Sequence, residues 1–160
     1  MPTEETQLIR RAQCGDRDAF AQLLKRFKQP VYHQALRMVG HAEDAADLTQ
    51  EVFLKVWQGL PSFQGDSTFS TWLYRLTSNA CIDFLRREKR RRGTLSLDDE
   101  EWELASQLPD PAPTPQKALE QRELRQALEA GLAQLSDEHR QVLILRELNG
   151  LSYEEIAQVL

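Results

Sequence analysis

The sequence predicts an all-α protein made of two small helical domains joined by an acidic, proline-containing linker. Three observations predict it. From Thr6 to Leu85 apolar residues recur at helical spacing, with no sustained strand-like alternation. Residues 94–115 then carry six acidic residues, no basic ones and four of the seven prolines. A second amphipathic run with strong helix-cap signals follows.

In chain order, Leu8, Ile9 and Ala12 mark a first helix, and Gly15 with Asp16 punctuates the turn after it. Phe20, Leu23, Leu24 and Phe27 mark a second helix, with Val31, Ala35, Leu36 and Val39 close behind and Gly40 as the next break. The stretch Asp44–Leu60 has a core stripe of Leu48, Val52 and Val56, flanked by Ala45, Phe53 and Trp57. The one substantial loop is Gly59–Thr68, with Pro61 and Gly65. Phe69, Leu73, Leu76, Ala80 and Phe84 form a buried stripe on the helix that follows, with Trp72 at its border. Prolines at every second position from Pro109 to Pro115 oppose helix and favour an extended chain. Gln116–Leu135 is amphipathic, and Ser136 can cap the next helix, with Asp137 and Glu138 favourable in its first turn. Asn149-Gly150 then stops that helix, and Ser152 with Glu155 forms a capping box. These last elements open a helix-turn-helix whose recognition helix is expected beyond Leu160. The expected divisions are 1–92, a flexible acidic linker at 93–115, and 116–160.

Of the 160 residues 41% are hydrophobic and 28% charged, which suits a soluble globular protein. The net charge of −5 hides an asymmetry. Residues 1–92 hold 15 Lys and Arg against 11 Asp and Glu, a balance of +4, whereas residues 93–160 hold 5 against 14, a balance of −9. The basic half is therefore the candidate for nucleic acid. Cys14 and Cys81 cannot build a disulfide framework and read as plain reduced thiols. No signal peptide or run of about 20 apolar residues is visible, so a cytoplasmic protein without membrane insertion is expected. His33, His41 and His139 are scattered, and no nucleophile, metal or phosphate-loop constellation supports an enzyme or a cofactor.

Two surfaces carry chemistry. On the helix from Phe69, Arg75, Asn79, Ile82, Asp83 and Arg86 gather away from the core stripe, and side chains of these types can bond base edges or phosphates. The helix ends in Arg86, Arg87, Lys89, Arg90, Arg91 and Arg92, interrupted only by Glu88, which lines up charge for a phosphate backbone. On the helix from Asp44, the polar residues Asp44, Asp47, Glu51 and Gln58 surround Leu54, a pattern that fits partner docking.

The segments "DLTQEVFLKVW", "FSTWLYRLTSNACIDFLRR" and "LSDEHRQVLILRELNGLSYEEIAQVL" together resemble bacterial RNA polymerase sigma factors of the extracytoplasmic-function group, over nearly the whole chain. The resemblance implies that residues 1–92 are sigma region 2 and 116–160 a partial region 4. Asp47, Gln50, Glu51 and Leu54 would grip the clamp of the polymerase's largest subunit. The loop Pro61–Thr68, through Phe63, Gln64, Gly65, Asp66 and Ser67, would cradle a base flipped from the minus-ten element. Phe69 and Trp72 would help hold the separated non-template strand, Arg75, Asn79 and Asp83 would contact that element, and Arg86, Arg87, Lys89 and Arg90 would hold phosphates. The acidic linker would follow the RNA exit path. An anti-sigma factor would cover Leu54 and the apolar faces around Leu143, Leu145 and Leu148. The expected function is an alternative sigma factor that directs promoter-specific initiation in response to an envelope or stress signal. The alternative is a free-standing helix-turn-helix regulator of duplex operators, and binding to core polymerase without DNA separates the two.

Overall fold

The computed structural model describes residues 3–92 and 114–160, and every element among them is a helix. Helix α1 (Glu4–Gln13) starts where the Thr3 hydroxyl accepts from the Thr6 amide, carries Glu4 and Glu5 at its positive end and Arg10 and Arg11 at its negative end, and buries Leu8, Ile9 and Ala12. Asp16 caps α2 (Arg17–Val39) by accepting from the amides of Asp18 and Ala19. The two apolar runs read from the sequence on either side of Pro30 are a single helix of 23 residues. A proline inside a helix costs about 3 kcal/mol. It is tolerated here because Leu23, Phe27, Val31, Ala35 and Leu36 lie in one buried stripe that continues across it. Gly40, with φ of 81°, ends the helix in the left-handed conformation.

Helix α3 (Ala42–Gly59) leads through a single 3-10 turn (Leu60–Ser62) into the loop before α4 (Phe69–Arg92). Helices α1 to α4 pack around one core in which Leu23, Val31, Met38, Val52, Val56, Leu60 and Leu73 are almost wholly buried. Buried Gln34 of α2 crosses that core, its Nε2 donating to Ser78 Oγ at 2.8 Å and to the Tyr74 carbonyl at 3.3 Å on α4.

The second unit comprises α5 (Pro115–Gln134), α6 (Asp137–Glu147) and α7 (Tyr153–Val159). The linker expected at 93–115 lies outside the described residues up to 113. Pro115, expected to oppose helix, instead begins α5, because at the first helical position its missing N–H leaves no bond unmade. Ser136 caps α6 as read, Gly150 supplies φ of 70° at the turn, and the Ser152–Glu155 capping box is complete in both directions.

The two units are packed against each other rather than separated. Leu145, Leu151, Ile156 and Val159 form a small core that Tyr74 of α4 completes, while Ile144 of α6 joins the core of the first unit. Buried Arg140 ties them: it donates from Nη1 to the Met38 carbonyl at 2.7 Å, from Nε to the Leu132 carbonyl at 2.9 Å and from Nη2 to the Leu135 carbonyl at 3.1 Å. Met38 is in the last turn of α2, where unmatched carbonyls and the helix dipole favour a cation.

Candidate nucleic-acid interface

The start of α4 is set by Thr68, whose Oγ1 accepts from the Thr71 amide at 3.1 Å. Phe69 is buried, edge-on to Phe27 at 5.3 Å and to Phe63 at 6.1 Å. Trp72 lies against Phe63 with ring centroids 4.9 Å apart and an interplanar angle of 30°. Gly59 makes room for that indole, since a Cβ there would come within 3.3 Å of it. Phe69 is therefore the floor of an aromatic group whose half-buried members are Phe63 and Trp72. Between this group and the loop is an open cleft of about 410 Å³, lined by Gln64, Asp66, Ser67, Thr71, Trp72 and Arg75 among others, with Gln158 of α7 at its edge.

Helix α4 presents three faces. Phe69, Leu73 and Ala80 enter the first core, with Leu76 and Phe84 partly buried beside them, as the periodicity predicts. Arg75, Asn79, Asp83 and Arg86 are all exposed and form a continuous stripe at spacings of three and four. Arg87, Lys89 and Arg90 extend the exposed positive charge to the helix end, where Lys89 Nζ meets Asp137 Oδ2 at 2.8 Å. The third face had no sequence signal. Thr71 and Tyr74 are buried under the second unit: the Thr71 hydroxyl donates to Glu155 Oε2 at 3.1 Å, and the Tyr74 hydroxyl is hydrogen-bonded to the Asn149 side chain. Burial pushes the Tyr74 phenol above its ordinary pKa, with that hydrogen bond opposing. The bonds from Ser152 and Thr71 hold the Glu155 carboxyl below the usual carboxylate range.

On α3, Asp47 and Gln50 are exposed, and Glu51 is half-buried and paired with Lys55 at 3.2 Å. Leu54 stands among them 57% exposed, a large apolar side chain left in water on a well-packed helix. In the second unit Leu143 and Leu148 are exposed, but Leu145 is completely buried, so the apolar face expected around all three is carried by two. Leu119, Leu124 and Leu128 of α5 are exposed as well.

Two positions were invisible to sequence reasoning because their partners are far along the chain. Gln13 donates from Nε2 to the carbonyls of Leu60 at 3.1 Å and Phe63 at 2.8 Å. Glu129 of α5 is buried beside Arg37 of α2, and burial pushes its carboxyl up to about 7 against the opposing pull of Arg37 and Arg125. Cys14 and Cys81 are free thiols, and burial pushes Cys81 up to about 12, which leaves it a protonated core residue. Among the described residues no helix is long and apolar enough to cross a membrane.

The described residues form an all-helical fold in which a basic, polar helix face adjoins an aromatic cleft, an arrangement suited to nucleic acid. The comparisons with known proteins agree. Residues 23–91 match the family model for sigma-70 region 2, and residues 125–160 match that for sigma-70 region 4. The chain is 33% identical over 159 residues to the RNA polymerase sigma-H factor of Pseudomonas aeruginosa, covering 98% of this chain and 82% of that one. It is 36% identical over 156 residues to the ECF RNA polymerase sigma-E factor of Escherichia coli K12, covering 96% of this chain and 81% of the relative. Among solved structures, an engineered region 2 of sigmaE in complex with GTAAAA superposes with a TM-score of 0.52 at 36% identity, covering 56% of this chain and 93% of that one. CnrH in complex with the cytosolic domain of CnrY shares the fold, with a TM-score of 0.64 at 24% identity over 95% of this chain and 79% of that one. The chain belongs to the sigma-70 family, in its extracytoplasmic-function group: it is an alternative sigma factor.

Proposed function

We propose that residues 1–92 dock on the clamp of core RNA polymerase through Asp47, Gln50, Glu51 and Leu54 of α3 and read the minus-ten element through α4. The non-template strand lies along Arg75, Asn79 and Asp83. Its phosphates are held by Arg86, Arg87, Lys89 and Arg90, and one flipped base enters the cleft walled by Phe63, Gln64, Gly65, Asp66 and Ser67 with Trp72 at its back. Base-edge contacts specify and phosphate contacts position, while an aromatic wall stacks an unpaired base without consulting its identity. Residues 116–160 are a partial region 4 that opens the helix-turn-helix, and 93–115 links the two units. The chain works in the cytoplasm, where polymerase is, and an anti-sigma partner covers Leu54 with Leu143 and Leu148.

The observation that carries this reading is that α3 and α4, packed on a common core, leave two chemically different surfaces in water: an acidic one around an exposed leucine and a basic one beside an aromatic cleft. A free-standing operator-binding regulator has no use for the first. The region 2 of sigmaE that forms a complex with GTAAAA at 36% identity supports the second.

The test is binding of the whole chain to purified core polymerase without DNA. Leu54→Glu and Glu51→Arg each weaken that binding at least tenfold, because truncating or reversing a central contact of an interface costs about 2 kcal/mol or more. Both variants keep the thermal midpoint within a few degrees, since neither side chain is in the core. Unchanged affinity for both would remove the docking role from α3.

A further inference from the structure

We propose that Gln13 is a positioning residue for base capture: its carboxamide, by bridging the carbonyls of Leu60 and Phe63, fixes the loop against α4 and so sets selectivity for the flipped base without touching DNA. The proposal rests on the reading of the 61–68 loop as the base-capturing element.

The geometry is a two-point clamp. An amide –NH2 has two hydrogens, and Gln13 Nε2 spends them on two acceptors, at 3.1 Å to Leu60 and 2.8 Å to Phe63. The span between those carbonyls is where α3 gives way to the loop, and it is otherwise closed only by the Phe63 amide donating to the Leu60 carbonyl at 3.0 Å. Leu60 is fully buried, and its carbonyl, which also accepts from the Phe63 amide, loses one of its two donors when Gln13 is removed. Phe63 is the wall of the cleft: its ring is held over Trp72 at 4.9 Å and beside Phe69 at 6.1 Å. Beyond Phe63 the loop has little else to steady it. Among the described residues no other side chain from outside the loop hydrogen-bonds to it before Thr68, Gly65 has φ of 79°, and a second open cleft of about 430 Å³ separates residues 63–69 from α1. A loop with open space on both sides and one external clamp takes its position from that clamp. Gln13 is the last residue of α1, so the first helix holds the loop by this side chain's hydrogen bonds as well as by its apolar packing.

The experiment uses the full chain bound to core polymerase and fluorescent non-template strands, first establishing the preferred minus-ten sequence and then varying each base singly. Gln13→Leu preserves size and removes both donors. It lowers discrimination at the captured base about fivefold to tenfold, the scale of one or two hydrogen bonds, while affinity for scrambled strands stays within twofold. Gln13→Lys, which restores a donor, recovers discrimination even though its charge raises affinity for all strands alike. A merely structural role for Gln13 predicts the opposite pattern, a lower thermal midpoint with the discrimination ratio intact, and that result would overturn the proposal. Asp66→Ala and Ser67→Ala in the same assay test the underlying reading. If they lose discrimination and Gln13→Leu does not, the clamp alone is refuted; if they too leave it unchanged, the base-capturing loop falls and the clamp with it.

Discussion

At the scale of residues, surface chemistry with a short period was legible and pairing across the chain was not. Arg75, Asn79, Asp83 and Arg86 were placed on one outward face by helical spacing, and all four are exposed. Gln13, Thr71, Tyr74, Glu129 and Arg140 gave no signal, because each takes its meaning from a partner that only the fold brings near. Glu129 yields a prediction of its own. Its folded carboxyl titrates near 7 instead of the ordinary 4.5, so between those values the folded protein binds a proton that the unfolded chain has released. Stability contributed by the protonated group is complete below about pH 4.5 and is withdrawn as pH rises through 7. Glu129→Gln, neutral at every pH, is therefore more stable than the parent at pH 8, by on the order of 1 to 3 kcal/mol, and equal to it near pH 4.5. Urea unfolding at the two pH values measures the difference; a gap that is the same at both would show that the carboxylate's charge is not what burial penalises.

At the scale of elements, caps and breaks were read well and two prolines were not. Ser136, Asn149-Gly150 and the Ser152–Glu155 box signal their roles locally, and each acts as its chemistry dictates. Pro30 and Pro115 carry the same residue name but different meanings: one is absorbed because a long apolar stripe outweighs a missing bond, the other because it stands at a helix start. The contact of α6 with α2 was not foreseen, and it depends on Arg140. Arg140→Ala leaves the carbonyls of Met38, Leu132 and Leu135 without that donor in a buried setting. The expected cost is about 2 to 4 kcal/mol to the docking of α6, so amide exchange in α6 and α7 accelerates while α3 and the core half of α4 stay protected. Equal acceleration throughout would mean that the two units unfold as one.

At the scale of the whole molecule, the sequence announced two helical units but could not announce that they lie together. The second unit covers Thr71 and Tyr74, engages Lys89 and places Gln158 at the edge of the cleft. In the proposed reading α4 reads sequence with Asn79 and holds phosphate with its basic end. That reading is tested most directly by selecting strands from a randomised single-stranded non-template pool with the chain bound to core polymerase. The parent is expected to enrich one minus-ten motif, Asn79→Ala to lose or change it, and Arg90→Ala to keep the same motif while retaining less of every strand. An Asn79→Ala protein that enriches the parental motif, only more weakly, would contradict it.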